Sequence, residues 1–425
     1  MLKPVWNPFS RYADKLEKQI DNILKRAAFL GVFEAQRKVL ELMQSNLVIL
    51  DLWLEARFKG YKYLTRGTRK RLYRNSETIA RVFLEFAAKV QINDGAVTDN
   101  LRELGLDRPH LPGDDEKLRF IVAIMLFLRP DAGRFQYLEG ASFGKLLGDI
   151  EHQQKMIGDC NQIVTFYTYL YSLKYDLKEL QIKLLPKHVC LHFKGIDVEA
   201  TAGAFARYKE FDKLLPIVEL ISTNLLDVSD FRDKQIKVNP RDFLKAAQLA
   251  NNLSSERELV VSNLKIAYRN VAVESLNNND FDTALFFLEK AGIENETDQQ
   301  LLSSIYHNAV IHNTKSHDFR KARFYADKGG DAELKKYIDE QEAIYLYDTN
   351  SLSRARELFL RVGNTQMVKA CFAKEYNQMQ SRVAGIKDLA SMKAHGSDYR
   401  KMLDLAEKMG DQQLVENLQN IIKQL

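Results

Sequence analysis

A cysteine at the predicted start of a helix is the residue of this sequence best suited to nucleophilic chemistry. Cys160 lies in the pentapeptide GDCNQ, just before the apolar stretch 163–175. Asp159 and Gln162 have the spacing of a capping box, which predicts a helix beginning at Cys160. The unpaired N–H groups of a first helical turn stabilise a thiolate, so this position favours a nucleophile. The alternative is a buried cysteine that only packs, as free cysteines commonly do.

Downstream of Cys160 the periodicity changes from helical to alternating. Segments 182–185, 188–193 and 196–201 are predicted to be short strands, and Lys194-Gly195 is predicted to be the two-residue turn between the last two. Alternation places the imidazoles of strand 188–193 and the carboxylates of strand 196–201 on one face of the hairpin. An antiparallel hairpin therefore gathers bases and acids on one surface.

Two histidine–carboxylate pairs compete for the role of base and acid. With a two-residue turn, His192 lies directly opposite Asp197, whereas Glu199 is diagonal to His188. A thiol nucleophile needs a base within hydrogen-bond reach, and that base needs an acid to fix its tautomer. Because a one-residue slip changes every cross-strand neighbour, both pairs stay open.

Residues 150–208 resemble the transglutaminase-like superfamily, in which a helix with Cys at its N-terminus packs on an antiparallel sheet that carries His and an acid. The matching pieces are GDCNQ, His188-Val189, and the tetrapeptide VEAT in place of the usual aspartate-proline-threonine. This resemblance implies that Cys160 is the nucleophile, His188 the base and Glu199 the orienting acid. The chain departs from the pattern at Cys190, where an aromatic residue often follows the histidine, and in having Glu as the acid.

The remaining site predictions are few. An oxyanion hole would use the backbone N–H of Cys160 and an upstream donor, for which Gln154 is the candidate on spacing. No cofactor or metal site is predicted, because there is no phosphate-binding glycine loop and no CxxC pair. Four other histidines lack ligand partners at a recognised metal spacing: His152, His307, His312 and His317.

From about residue 255 onward the sequence predicts paired helices. Small or aromatic residues in AYRNVAVESLNNNDFDTALFFLEKA are similar to those of a tetratricopeptide hairpin, and shorter echoes follow. Their anchor positions are Ala284, Ala322, Ala355 and Met402, at steps of 38, 33 and 47 residues. The array is degenerate, so it is either a set of tetratricopeptide-like repeats or a looser α-solenoid. Stacked hairpins of either kind offer a surface for a protein or peptide partner.

The basic excess of the chain is N-terminal. Residues 1–150 hold 25 Lys and Arg against 19 Asp and Glu, and the run 57–74 has eight cations, four aromatic residues and no acid. We interpret this run as a solvated surface that carries scattered charge. The alternative is that it binds nucleic acid. Ser76, just beyond it, is predicted to be the N-cap of a new helix.

Composition places the chain among mainly helical, folded proteins. It has 425 residues, 45% hydrophobic and 28% charged, with only 8 Pro and 20 Gly. Three cysteines suit a reducing compartment, and no secretory signal or apolar stretch of membrane length is evident, so we predict a cytoplasmic protein without a membrane partner.

Together these patterns predict an α+β protein that is predominantly α. The expected regions are 1–115, N-terminal helices; 116–210, a transglutaminase-like core; and 211–425, an α-solenoid of tetratricopeptide-like repeats. The function predicted is cysteine-dependent acyl transfer, with hydrolysis of amide bonds in a protein or peptide that the repeats recruit. The alternative is a non-catalytic scaffold that keeps the fold and binds peptides.

Overall fold

The computed structural model describes residues 11–140, 142–153, 155–210, 213–228 and 238–425. The chain forms two compact units, Met1–Val271 and Ala272–Leu425. The sequence boundaries expected near residues 115 and 210 stay predictions.

The described residues are mainly helical, with a small antiparallel sheet, which confirms the α+β and predominantly α class predicted from composition. One π-helical turn, Glu55–Lys59, continues the second helix. The helices in chain order are α1 (Lys15–Leu24), α2 (Val32–Leu54), α3 (Arg66–Lys89), α4 (Asp94–Glu103), α5 (Pro112–Leu128), α6 (Phe143–Gln153), α7 (Cys160–Ser172), α8 (Glu219–Leu226), α9 (Pro240–Leu253), α10 (Arg257–Asn277), α11 (Phe281–Ala291), α12 (Glu296–Lys315), α13 (Phe319–Gly329), α14 (Ala332–Asp348), α15 (Leu352–Arg361), α16 (Thr365–Val383), α17 (Leu389–Ala394), α18 (Gly396–Met409) and α19 (Gln412–Gln424).

The described part of the first unit contains two sheets. Their strands are β1 (Phe135–Tyr137), β2 (Met156–Gly158), β3 (Leu180–Leu185), β4 (His188–Phe193), β5 (Ile196–Glu199), β6 (Ala204–Ala206) and β7 (Leu215–Pro216). Strands β1 and β2 form a parallel pair that leads into α7, and a five-stranded antiparallel sheet has the order β6-β5-β4-β3-β7.

The β4–β5 hairpin has the register that the sequence predicts, with Phe193 opposite Ile196 and His192 opposite Asp197. Its turn residues are both left-handed, Lys194 at φ 49° and Gly195 at φ 86°. Left-handed conformations at both turn residues are the mark of the type I′ turn, which matches the twist of paired strands. The strand predicted over 196–201 is shorter, because β5 ends at Glu199 and the chain turns into β6.

Helix α7 lies inside the first unit. It packs against α2, α5, α8 and β4, and the side chains of Ile163, Phe166, Tyr167 and Leu170 are fully buried. A helix that is apolar on nearly all sides must be covered on all sides, which explains why the other elements surround it. The N-terminus of this enclosed helix is the position that carries Cys160.

The second unit consists of helices that pack against each other in pairs. Helix α12 packs on α13, α14 on α15, and α16 on α18. The predicted anchor residues Ala284, Ala322 and Ala355 are fully buried, so the periodicity read from the sequence marks the interior of this unit. Left-handed residues precede the N-caps of α11, α13 and α15 at equivalent places: Asn279, His317 and Asn350.

In the part of the chain that the structure describes, none of the helices combines the length and apolarity needed to cross a membrane.

Candidate active site

The nucleophile candidate begins helix α7, as its cap sequence predicts. The Asp159 carboxylate accepts from the Asn161 N–H at 2.9 Å, and the Gln162 side chain accepts from the Asp159 N–H at 2.8 Å. The reciprocal capping box is therefore formed. It fixes Cys160 at the first helical position, where the dipole favours negative charge on sulfur.

Cys160 lies against an open cavity. The residue is only 6% exposed, yet it lines a cavity of about 520 Å³ together with Asn161, His188, Val189 and Leu259. The thiol is therefore packed on one side and open to a ligand on the other. This arrangement is what a nucleophile needs and differs from a cysteine sealed in the core.

His188, the first residue of β4, lies between the thiol and a carboxylate. Its Nε2 atom is 2.7 Å from Oε2 of Glu199, and His188 lines the same cavity as Cys160. A hydrogen bond to the Cys160 side chain, followed by one to Glu199, raises the pKa of His188 to about 10. The structure thus brings together Cys160, His188 and Glu199 in the order that the resemblance implies. The environment of His188 therefore favours the protonated imidazole.

Glu199 is held by four donors. Its Oε2 accepts from His188 and, at 2.7 Å, from the Tyr208 hydroxyl, while its Oε1 accepts from the N–H and the hydroxyl of Thr201. Burial raises the pKa of Glu199, but these hydrogen bonds outweigh it and lower the pKa to about 2. The carboxylate therefore stays charged and oriented toward His188.

The alternative pair, His192 and Asp197, is also formed, with Nδ1 of His192 2.6 Å from Oδ1 of Asp197. The Gly195 N–H donates to Nε2 of His192 at 3.1 Å, so Nε2 is an acceptor and the proton is on Nδ1. Both ring nitrogens of this buried histidine are occupied. In contrast to His188, His192 has no nitrogen left to serve a thiol.

One of the two predicted oxyanion donors, the backbone N–H of Cys160, lies within the described residues. Within the described residues, the N–H of Cys160 makes no hydrogen bond, because the Asp159 cap engages Asn161 and Gln162 instead. It is available to a substrate oxygen. Gln154, the second predicted donor, lies outside the described residues.

Residues missed by the sequence analysis complete the surroundings of the site. Tyr208 and Thr201 hold Glu199, and Asp227 accepts from the side chains of Asn161 at 3.0 Å and Gln162 at 3.3 Å. Burial, and then the charge of Asp227, raise the pKa of Asp159 to about 7. Thr201 is within the VEAT motif, but no sequence signal linked Tyr208 or Asp227 to the site.

The basic run 57–74 lies partly in the interior. Lys59 and Arg69 are buried, and Arg69 donates to Glu17 at 2.7 Å. Tyr61 and Tyr73 are also buried, so they offer no stacking surface for bases. These four residues therefore stabilise the first unit, and nucleic-acid binding by the rest of the run stays an untested alternative.

Among the residues that the structure describes, no group of three His, Cys, Asp or Glu side chains is placed to hold a metal ion. His312 contacts the ring of Phe281, and His317 stacks on Tyr345 at 4.4 Å, so both histidines pack against aromatic rings.

Comparison of the chain with protein-family models, curated proteins and solved structures found no match.

Proposed function

We propose that this protein is a cysteine-dependent acyl-transfer enzyme of the transglutaminase-like type, which hydrolyses amide bonds in proteins or peptides. The observation that supports it most is the position of His188, whose Nε2 lies 2.7 Å from Glu199 and which lines the same cavity as Cys160, the side chain that most raises its pKa. A buried thiol without a role would not need a charged imidazole at the wall of an open cavity.

In the first half of the proposed reaction, the Cys160 thiolate attacks the carbonyl carbon of the scissile amide and forms a C–S bond. The carbonyl oxygen becomes an oxyanion that the Cys160 N–H stabilises. As the C–N bond breaks, the His188 imidazolium gives its proton to the leaving amine. The products of this half are a thioester on Cys160 and a free amine.

In the second half, His188 takes a proton from a water molecule, which attacks the thioester carbon. The C–S bond breaks, a carboxylic acid is released, and the thiolate–imidazolium pair is restored. Glu199 stabilises the imidazolium in both halves without exchanging protons. An amine in place of water would give transamidation, and we favour hydrolysis for this chain.

The cavity supports a peptide as substrate. Its wall includes the apolar side chains of Leu184, Val189 and Leu259 together with the polar Asn161. A volume of about 520 Å³ is within the range of sites that hold organic ligands.

We also propose that the helical hairpins of the second unit are tetratricopeptide-like repeats that recruit the substrate or a partner protein. Phe286 in α11 and Phe324 in α13 occupy equivalent positions and are 52% and 51% exposed. A lysine lies over each ring, Lys290 and Lys328. Repeated exposed aromatic side chains are suited to protein recognition.

The location proposed for this activity is the cytoplasm. Cys160, Cys190 and Cys371 are all free thiols in the structure. A nucleophilic thiol stays active in a reducing compartment, which favours this location.

The test of the proposed function is selective alkylation of the full-length chain by iodoacetamide, with each cysteine followed by mass spectrometry. Cys190 and Cys371 are fully buried, and burial raises the pKa of both thiols, so they serve as internal controls. We expect Cys160 to react first at pH 6 to 7, and the His188→Ala variant to lose that selectivity. Equal or slower labelling of Cys160 would contradict the proposal.

A second assay measures turnover directly. Peptide mixtures incubated with the wild-type chain should show cleavage that is lost in Cys160→Ala and retained in Cys190→Ala. The non-catalytic alternative, a scaffold that binds peptides, predicts binding by both variants and cleavage by neither variant nor the wild type.

A further inference from the structure

Tyr208, which the sequence analysis did not single out, contacts Glu199, the acid of the proposed site. The Tyr208 hydroxyl donates to Oε2 of Glu199 at 2.7 Å, the same oxygen that contacts Nε2 of His188 at 2.7 Å. Oε1 is engaged by Thr201. The two protein donors on Oε2 are thus the base of the proposed reaction and the phenol of Tyr208.

The backbone of Tyr208 is held in turn by the second histidine–carboxylate pair. Its N–H donates to Oδ2 of Asp197 at 2.9 Å, and its carbonyl accepts from Nζ of Lys183 at 3.4 Å. Asp197 is itself bound by Lys183 at 2.9 Å and by His192, and all three side chains are nearly inaccessible to solvent. A buried, satisfied cluster of this kind is rigid, so it fixes where the chain at Tyr208 can lie.

We infer that Tyr208 is a positioning residue, whose phenol keeps the Glu199 carboxylate facing His188 while the Asp197 cluster anchors its backbone. This inference rests on the proposed function, since it gives Tyr208 a role only through Glu199 and His188. It also gives a role to His192 and Asp197, which do not serve the thiol.

The physical reason is competition for Oε2. Tyr208 is half-buried and occupies the side of the carboxylate that His188 leaves open. Without its hydroxyl, water reaches Oε2 and competes with the imidazole, and a better-hydrated carboxylate attracts the imidazolium less. The pKa of His188 then falls. The titratable or charged groups that line the cavity beside His188 are Cys160, Tyr137, Glu139, Asp159, Lys187 and Asp227. Glu199 interacts electrostatically with Tyr167 and Cys190 as well.

The experiment compares two reagents on Cys160 in the full-length chain. Iodoacetate carries a negative charge and iodoacetamide does not, so the ratio of their rate constants reports a positive charge beside the sulfur. The ratio falls when His188 loses its proton, and the midpoint of that fall measures the pKa of His188. The expected midpoint for the wild type is about 10.

The variants are Tyr208→Phe, the reference Glu199→Gln and the matched control Tyr171→Phe. Tyr171 donates to Glu179 at 2.9 Å, so the control loses the same kind of bond away from the site. We expect Tyr208→Phe to lower the midpoint by about one pH unit, a tenfold change in proton affinity. Glu199→Gln should lower it further, and Tyr171→Phe should leave it unchanged.

The outcomes separate the inference from the proposed function. A midpoint in Tyr208→Phe that equals or exceeds the wild-type value, with a lowered midpoint in Glu199→Gln, overturns the role of Tyr208 alone. Failure of Cys160 to react selectively in the wild type removes the proposed function and the inference with it. Circular dichroism shows whether Tyr208→Phe folds. If it does not, Tyr208→Leu also removes the hydroxyl and should give the same lowered midpoint.

Discussion

Removal of the Cys160 sulfur should lower the pKa of His188. The hydrogen bond with Cys160 is the largest cause that raises this pKa, ahead of the bond with Glu199. In Cys160→Ala the imidazole keeps Glu199 as its partner and loses the sulfur. The variant therefore measures how strongly sulfur and ring interact in the folded protein.

The expected fall in the pKa of His188 can be worked out from its environment. The pKa of His188 is raised from 6.5 to about 10, and the His188 side chain is 25% exposed. A rise of this size corresponds to about 5 kcal/mol before solvent screening is considered. If Cys160 contributes about half, the pKa in Cys160→Ala falls by roughly 2 pH units, which corresponds to about 2 to 3 kcal/mol.

The assay is nuclear magnetic resonance of ring-labelled histidine, which suits a chain with 8 histidines. The His188 signals are assigned with a His188→Gln variant and followed from pH 5 to 10.5. The signals of His395, which contacts Asp398 at 3.0 Å in the second unit, should be the same in both proteins and serve as the control. A His188 pKa near 6.5 in the wild type, or one unchanged in Cys160→Ala, would refute the contact between ring and sulfur.

Three further predictions concern stability and are all measured by urea unfolding. The pKa of Asp159 is raised, so its ionisation costs stability as the pH rises from about 4 to 7. The free energy of unfolding of Asp159→Asn, relative to that of the wild type, should therefore increase by about 1 to 2 kcal/mol between pH 5 and pH 8. An equal difference at both pH values would contradict this. Arg69→Met removes the ion-pair partner of the buried Glu17 and should cost about 3 to 5 kcal/mol. Arg37→Met, in an exposed pair, should cost much less. Similar costs in the two variants would contradict this prediction. Ala355→Leu adds volume at a fully buried position and should destabilise the second unit by about 1 to 3 kcal/mol; a neutral effect would mean that the helices there are loosely packed.

The parts of the site that could be predicted from the sequence are those with local rules. The cap at Asp159 follows from a spacing of three residues, and the pairing of His192 with Asp197 follows from strand alternation and a two-residue turn. These rules involve neighbours within one helix turn or one hairpin, so they need no knowledge of the rest of the fold.

The parts that could not be predicted depend on the path of the chain between elements. Tyr208 lies beyond the last paired strand residue, Ala206, and reaches Glu199 only because the backbone folds back over the sheet. The pattern of polar and apolar residues does not predict this path of the backbone. The predicted N-cap at Ser76 was wrong. Helix α3 begins at Arg66 and is capped by Thr65, and Ser76 is buried within the helix.

The order of the residues along the chain has a consequence for synthesis. The proposed nucleophile, base and acid, together with Tyr208, lie between residues 160 and 208, within the unit that ends at Val271. Domains generally fold as units while translation proceeds from the N-terminus. Under the proposed function, the first unit can therefore assemble its site while the helices of the second unit are still being synthesised, so the proposed chemistry precedes the proposed recruitment surface.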